Sequence, residues 1–126
     1  IKKVIEECWP GELTIIFKAN EEFTEKFDSG LKTVGIRIPK NRTAIDIIKN
    51  TGGIVLTTSA NISGEKAVTD IKDMSEVLLS EVDGIITDNS ILTGVPSTII
   101  KYVEGEIEIL REGNINIEKI KQLMKG

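Results

Sequence analysis

The ten residues WPGELTIIFK, Trp9 to Lys18, decide how the rest of the chain is read. Trp9-Pro10-Gly11 is a strong helix breaker: Pro lacks the amide proton a helix needs, and Gly favours conformations a helix does not use. The residues before it are helical in pattern. Ile1, Val4, Ile5 and Cys8 fall at i, i+3, i+4 and i+7, a single apolar stripe along residues 1–8. Beyond the breaker the pattern changes. Leu13 to Lys18 is a short apolar run with β-branched and aromatic residues, which reads as a buried strand.

Outward from that stretch, helical and strand patterns alternate. A short acidic helix comes after Asn20, and Thr33 to Ile38 (TVGIRI) alternates as a strand closed by Pro39. Val34, Ile36 and Ile38 take one face of it; Gly35 and Arg37 take the other. Residues 42–50 form an amphipathic helix with Ala44, Ile45, Ile47 and Ile48 inward, ended by Gly52-Gly53. IVLTTS (54–59) reads as a strand that decays into hydroxyls, before the polar loop Ala60 to Gly64. A helix near 71–80 buries Ile71, Met74 and Leu78; Gly84 to Asp88 is a further strand; a loop from Asn89 to Pro96 leads into STIIKY. Glu104-Gly105 supplies a hairpin turn, IEILR returns, and Asn116 caps a last helix through Met124. The expected fold class is α/β, a mixed sheet with flanking helices rather than a purely doubly wound one, in a single domain over 1–126.

Composition narrows the chemistry. The chain has 126 residues, 40% hydrophobic and 29% charged, enough for one globular core. It has no histidine, which removes Ser-His-Asp and Cys-His arrangements and every His-containing zinc site. One cysteine forms no internal disulfide and no redox pair. Basic residues number 16 against 20 acidic, a net charge of −4, which argues against a general nucleic-acid binder. The segment from Lys32 to Lys49 is the local exception, with Lys32, Arg37, Lys40, Arg42 and Lys49 against Asp46 alone. No apolar run approaches the ~20 residues of a membrane-spanning helix and no secretory pattern is seen, so a cytoplasmic location is expected. Helical periodicity is already running at Ile1, so further sequence is expected upstream, and the domain is expected to be incomplete at its N-terminus.

No standard phosphate loop is present. The candidates are polar side chains at the ends of apolar strands. Arg37 shares its face with the bare backbone of Gly35, where a guanidinium can grip a carboxylate or phosphate with two hydrogen bonds, or face water from an edge strand. Thr57 and Ser59 lie two apart on one expected strand, with Asn61 extending the row if the backbone stays extended. They also suit an ordinary loop start. Ser97 or Thr98, after the rigid Gly94-Val95-Pro96 approach, offers a hydroxyl to a ligand, or Thr98 is simply a strand residue. Arg111 ends the row Ile107, Ile109, Arg111, which calls for an anion or solvent there, and Gly113 leaves room for that partner. Trp9 reads as a core plug and Cys8 as a small core residue.

Five strings together resemble the YrdC/TsaC threonylcarbamoyl-AMP synthase family. They are Trp9-Pro-Gly-Glu-Leu-Thr14, Thr33-Val-Gly-Ile-Arg-Ile-Pro39, Thr58-Ser-Ala-Asn-Ile-Ser-Gly-Glu65, Gly94-Val-Pro-Ser-Thr98 and Ile109-Leu-Arg-Glu-Gly113. The resemblance implies a twisted α/β sheet with a concave cleft that joins L-threonine, bicarbonate (or CO2) and ATP into threonylcarbamoyl-AMP and pyrophosphate. That product feeds t6A modification of tRNAs reading codons that begin with A, alongside other t6A-pathway proteins. By similarity Arg37, Thr57 and Ser97 bind threonine, and Thr33, Ser59, Asn61, Ala67 and Arg111 bind ATP. Mg²⁺ on the phosphates is the expected helper. No histidine base is needed, because the carbamate of threonine is already an anionic nucleophile.

This chain departs from the family pattern in places. Family members usually carry Pro where Glu12 stands and a Pro shortly after Ser-Gly-Glu, where this chain has Lys66-Ala67-Val68; Thr93-Gly94 replaces a glycine pair. A Thr-x-Thr-x-Tyr-Gly-Leu string and a Lys-x-Arg phosphate motif belong to the family's N-terminal part and are not in these residues, so the segment alone is expected to lack appreciable synthase activity. Other readings are a double-stranded RNA or tRNA binder, an inactive paralogue, and the carbamoyl-transfer domain of a hydrogenase maturation protein. The last normally has zinc-finger cysteines nearby.

Overall fold

The breaker acts where the sequence places it. Helix α1 (Lys2–Cys8) ends at Trp9, and strand β1 (Leu13–Lys18) begins after the turn. The computed structural model describes residues 1–27 and 30–126. Two compact units result, one from residues 1–41 and 96–126, the other from 42–95.

The first unit holds the sheet. Its strand order is β2-β1-β3-β4, with β2 (Thr33–Ile36), β3 (Thr98–Val103) and β4 (Glu106–Arg111). β1 runs parallel to β3, and both outer pairs are antiparallel, so the sheet is mixed as expected. Register sets the two faces: Ile15 sits opposite both Ile36 and Ile100, and Ile100 opposite Ile109. On that face Leu13, Ile15 and Ile100 meet Val4 and Cys8 of α1 and Ile120 of α5 (Ile117–Lys125), all essentially buried. Fully burying each such Leu, Ile or Val stabilises the fold by roughly 1.5–3 kcal/mol. Trp9 plugs the edge of this core, its Nε1 donating to the Leu13 carbonyl at 2.7 Å and its ring meeting Phe17 edge-on.

Local signals are obeyed closely here. Asn20 Oδ1 accepts from the Phe23 amide (2.8 Å) at the start of α2 (Glu21–Phe27), and Asn116 Oδ1 accepts from the Glu118 amide (2.7 Å) at the start of α5. Glu104 (φ 55°) and Gly105 (φ 83°) give the two positive φ angles that a tight hairpin between right-twisted strands requires. β2 stops at Ile36, earlier than the alternation suggests, because the Ile38 carbonyl accepts from Gly11 N–H (2.8 Å) and Pro39 has no amide to offer.

In the second unit, α3 (Arg42–Asn50) forms as expected and closes with Gly53 N–H donating to the Ile48 carbonyl at 2.8 Å. Three expectations fail. Neither 54–59 nor 84–88 is a strand. An apolar run becomes a strand only when its amides and carbonyls find a neighbouring strand, and none pairs with them among the described residues. The helix expected over 71–80 is a 3-10 turn, Ile71–Asp73, with α4 (Glu76–Glu81) after it. Met74 is extended between them (ψ 139°), and Asp70 accepts from the Lys72 amide to hold the first turn apart. Among the described residues no helix is long and apolar enough to cross a membrane.

Candidate functional site

The sheet's β1–β3 ladder begins one step before the strands, with the Thr98 amide donating to the Glu12 carbonyl at 3.0 Å. That bond brings the Glu12–Thr14 segment beside Ser97. Thr14 Oγ1 and Ser97 Oγ lie 2.8 Å apart, a hydroxyl pair at the strand end, with Ser97 only 9% exposed. Arg111 comes to the same place from β4: its Nε and Nη2 donate to the Ser97 carbonyl at 3.0 and 2.9 Å.

Arg111 does not end a row of core residues. Ile109 sits opposite Ile100, but Arg111 sits opposite Ile99, so Leu110 is the extra residue of a bulge. The bulge moves Arg111 to the Ile99 face, which is also the face of Thr14. Nor does Gly113 leave room for a ligand. A Cβ there would overlap the Pro96 carbonyl oxygen and the Ser97–Thr98 peptide, so the glycine is required by the chain's own backbone. Thr98 is a strand residue: its buried Oγ1 donates to Ile115 O (2.6 Å) and accepts from the Gly113 and Ile115 amides (2.9 and 3.1 Å). Of the two hydroxyls, that of Ser97 is the one not taken up by backbone groups; it pairs with Thr14 Oγ1 instead. Of the anion or solvent expected beside Arg111, the exposed position gives solvent, and the Ser97 carbonyl orients the guanidinium without neutralising it. Among the described residues Arg111 enters no ion pair.

Arg37 lies one residue past β2, on the Gly35 face, where the position of a Gly35 Cβ would touch Thr14 and Ile16. Its guanidinium is held rather than loose. Nε donates to the Gly11 carbonyl at 3.0 Å and Nη2 to Glu12 Oε1 at 2.8 Å. The side chain as a whole remains 35% exposed. Arg37, Ser97 and Arg111 are thus brought to one end of the first unit's sheet, on a hydrogen-bonded frame of Gly11, Glu12 and Thr14. Sequence reasoning misses Glu12 and Thr14 as part of that frame. The available signal is their parity: residues 12 and 14 alternate with the buried Leu13 and Ile15.

Thr33 is not in this group. It pairs with Lys18 at the far end of β2, four residues from Arg37, about 13 Å along a strand. In the second unit Thr57 and Ser59 are exposed and off any strand, so the common direction expected of their hydroxyls is not imposed by a strand. Asn61 does not extend their row. Its Nδ2 donates to Ile62 O (3.1 Å) and Glu65 O (3.0 Å), bracing the Ser-Ala-Asn-Ile-Ser-Gly turn, while its Oδ1 is buried without a partner. Ala67 is exposed in the loop beyond that turn. A separate hollow of about 450 Å³, lined by Lys18, Glu21, Thr24, Glu25, Leu31 and Lys32 among others, contains none of the candidate side chains.

The Sua5_yciO_yrdC family model, described as "Telomere recombination", matches residues 1–113. The chain belongs to the Sua5/YciO/YrdC family. Within it, the chain is 30% identical over 116 residues to the threonylcarbamoyl-AMP synthase of Pyrococcus abyssi, covering 92% of this chain and 34% of the relative. It is 29% identical over 124 residues to the Bacillus subtilis threonylcarbamoyl-AMP synthase, covering 98% of this chain and 36% of that one. The crystal structure of P. abyssi Sua5 complexed with L-threonine matches with a TM-score of 0.85 at 28% identity, over 98% of this chain and 36% of that chain. The chain thus spans about a third of the length of these relatives.

Proposed function

We propose that the chain takes part in threonylcarbamoyl-AMP synthesis and that its first unit binds L-threonine, with Arg37 on the carboxylate and Ser97 on a second polar group. The observation that supports this best is the gathering of a part-exposed arginine, its guanidinium pre-oriented, and a hydroxyl pair at one sheet end. Family membership and a structural relative crystallised with L-threonine add to it. The same reading gives Thr57 to threonine, and Thr33, Ser59, Asn61, Ala67 and Arg111 to ATP.

In the reaction, the threonine amine and bicarbonate form a carbamate with loss of water. A carbamate oxygen then attacks the α-phosphorus of ATP, and the bond to pyrophosphate breaks. The nucleophile comes from the substrate, so the protein's part is to align two anions and offset their charge. A chain without histidine, whose one thiol is buried, suits that part. Mg²⁺ carried on the nucleotide's phosphates would offset further charge. The product would serve t6A modification of tRNA.

Amide chemical-shift titration of the chain with L-threonine tests the reading. Saturable shifts at Arg37 and Ser97, lost in Arg37→Ala, are expected. Shifts that survive Arg37→Ala, or no shifts at millimolar threonine, overturn it.

A further inference from the structure

The threonine reading leaves one charge at the sheet end unused, that of Glu12. The turn that ends α1 delivers it firmly: Gly11 N–H donates to the Ile38 carbonyl at 2.8 Å and the Glu12 carbonyl accepts from Thr98 at 3.0 Å, so the turn is tied on both sides. Oε1 is 2.8 Å from Arg37 Nη2, and Oε2 is 3.5 Å from Asn114 Nδ2, the outer limit of a hydrogen bond. The Glu12 side chain is 43% exposed. Ion pairs this exposed contribute little to folding, so stability does not account for the pair.

We propose that Glu12 and Arg37 form a zwitterion clamp in the threonine complex that precedes carbamate formation, the guanidinium for an α-carboxylate and the Glu12 carboxylate for an α-ammonium. Glu12 is then the residue that selects an amino acid over the matching hydroxy acid. The proposal rests on the threonine reading above. Its physical basis is charge balance. A lone arginine takes any carboxylate, whether or not an amine accompanies it. With Glu12 beside it the pair is neutral, so a simple monoanion gains from one partner and is repelled by the other. A zwitterion laid head-to-tail meets an opposite charge at each end. Both partners have capacity to spare: a guanidinium has five N–H donors and a carboxylate about four acceptor sites. The Gly11 carbonyl holds Nε in place while the outer hydrogens turn to the ligand.

The experiment compares L-threonine with (R)-3-hydroxybutyrate, which keeps the carboxylate and hydroxyl and lacks the amine. Dissociation constants are measured by calorimetry or amide shifts for the wild-type chain, Glu12→Gln and Glu12→Pro, with thermal melts to confirm folding. Glu12→Pro, which installs the residue that the family resemblance puts at this position, is the second variant. The wild type should prefer threonine. In both variants hydroxybutyrate should tighten roughly threefold, from losing a repulsion at about 6 Å, and threonine should weaken roughly twofold, the attraction its ammonium loses at about 4 Å outweighing the same relief at its carboxylate. Opposite signs are the signature, since a merely structural role would move both ligands together. If both ligands tighten, Glu12 only competes for Arg37 and the clamp is refuted; if both weaken in parallel, it only positions Arg37 and the clamp is refuted equally. A wild-type chain that binds threonine without preference over hydroxybutyrate overturns the clamp but leaves the threonine reading standing. A wild-type chain that binds neither removes both.

Discussion

The two units use similar residues to different effect. In the 1–41/96–126 unit, apolar positions on β1 and β3 alternate between buried and half-buried, and Leu13, Ile15 and Ile100 reach zero exposure against α1 and α5. In the 42–95 unit no residue is buried, and Leu56 and Ile86 are 68% exposed and Ile91 94%. Apolarity of sequence is comparable in IVL, GII and TII; what differs is whether the backbone has a partner. Strand pairing fixes which face each side chain takes, and only then can a helix cover that face. The difference teaches that in this chain burial depends on pairing.

The comparison breaks most readily by truncating one apolar residue in each unit. Ile100→Ala should cost about 2–5 kcal/mol, because it opens a cavity where β1, β3 and the helices meet. Leu56→Ala, at a position already facing outward, should stay within about 0.5 kcal/mol. Urea unfolding of the two variants checks this, and comparable losses would show that the second unit has a core of its own. A smaller effect is expected from glycines. Gly113→Ala forces a methyl into the Pro96–Thr98 backbone and should cost about 1–3 kcal/mol. Gly84→Ala meets nothing within 4 Å and should be neutral or stabilising by about 0.4–1 kcal/mol, through the unfolded chain. Thermal melts of the pair would show the opposite signs.

What is legible in the sequence divides along the same line. α1, α3, α5 and the hairpin rest on signals a few residues apart: the Ile1-Val4-Ile5-Cys8 stripe, the Asn116 cap, the Glu104-Gly105 turn. The strands expected at 54–59 and 84–88 do not form, because an apolar run says nothing about the neighbour it needs. The site shows a similar split. Arg37 and Ser97 stand out by residue type and position, but Glu12 meets Arg37 across 25 residues and Thr14 meets Ser97 across 83. Simple alternation puts Arg111 on the wrong face because Leu110 bulges out of the ladder, and nothing in Ile-Leu-Arg marks which residue is the extra one.

The smallest effect is also the finest test, because it applies one device to both units. Asn116 accepts from the Glu118 amide at 2.7 Å, and Asp70 accepts from the Lys72 amide at 3.0 Å; each satisfies one amide that its turn leaves open. A cap contributes to global stability only when the turn it ends belongs to the cooperative core. α5 does, since Ile120 is fully buried beside Val4 and Leu13. The Ile71–Asp73 turn buries nothing. Asn116→Ala should therefore cost about 1 kcal/mol, whereas Asp70→Ala should change the unfolding midpoint by less than about 0.5 kcal/mol equivalent. Its effect should appear instead as faster hydrogen exchange confined to the Lys72 region, since local opening there is not coupled to the core. If Asp70→Ala lowers global stability as much as Asn116→Ala, the 42–95 unit folds cooperatively with a core, and the contrast between the units fails.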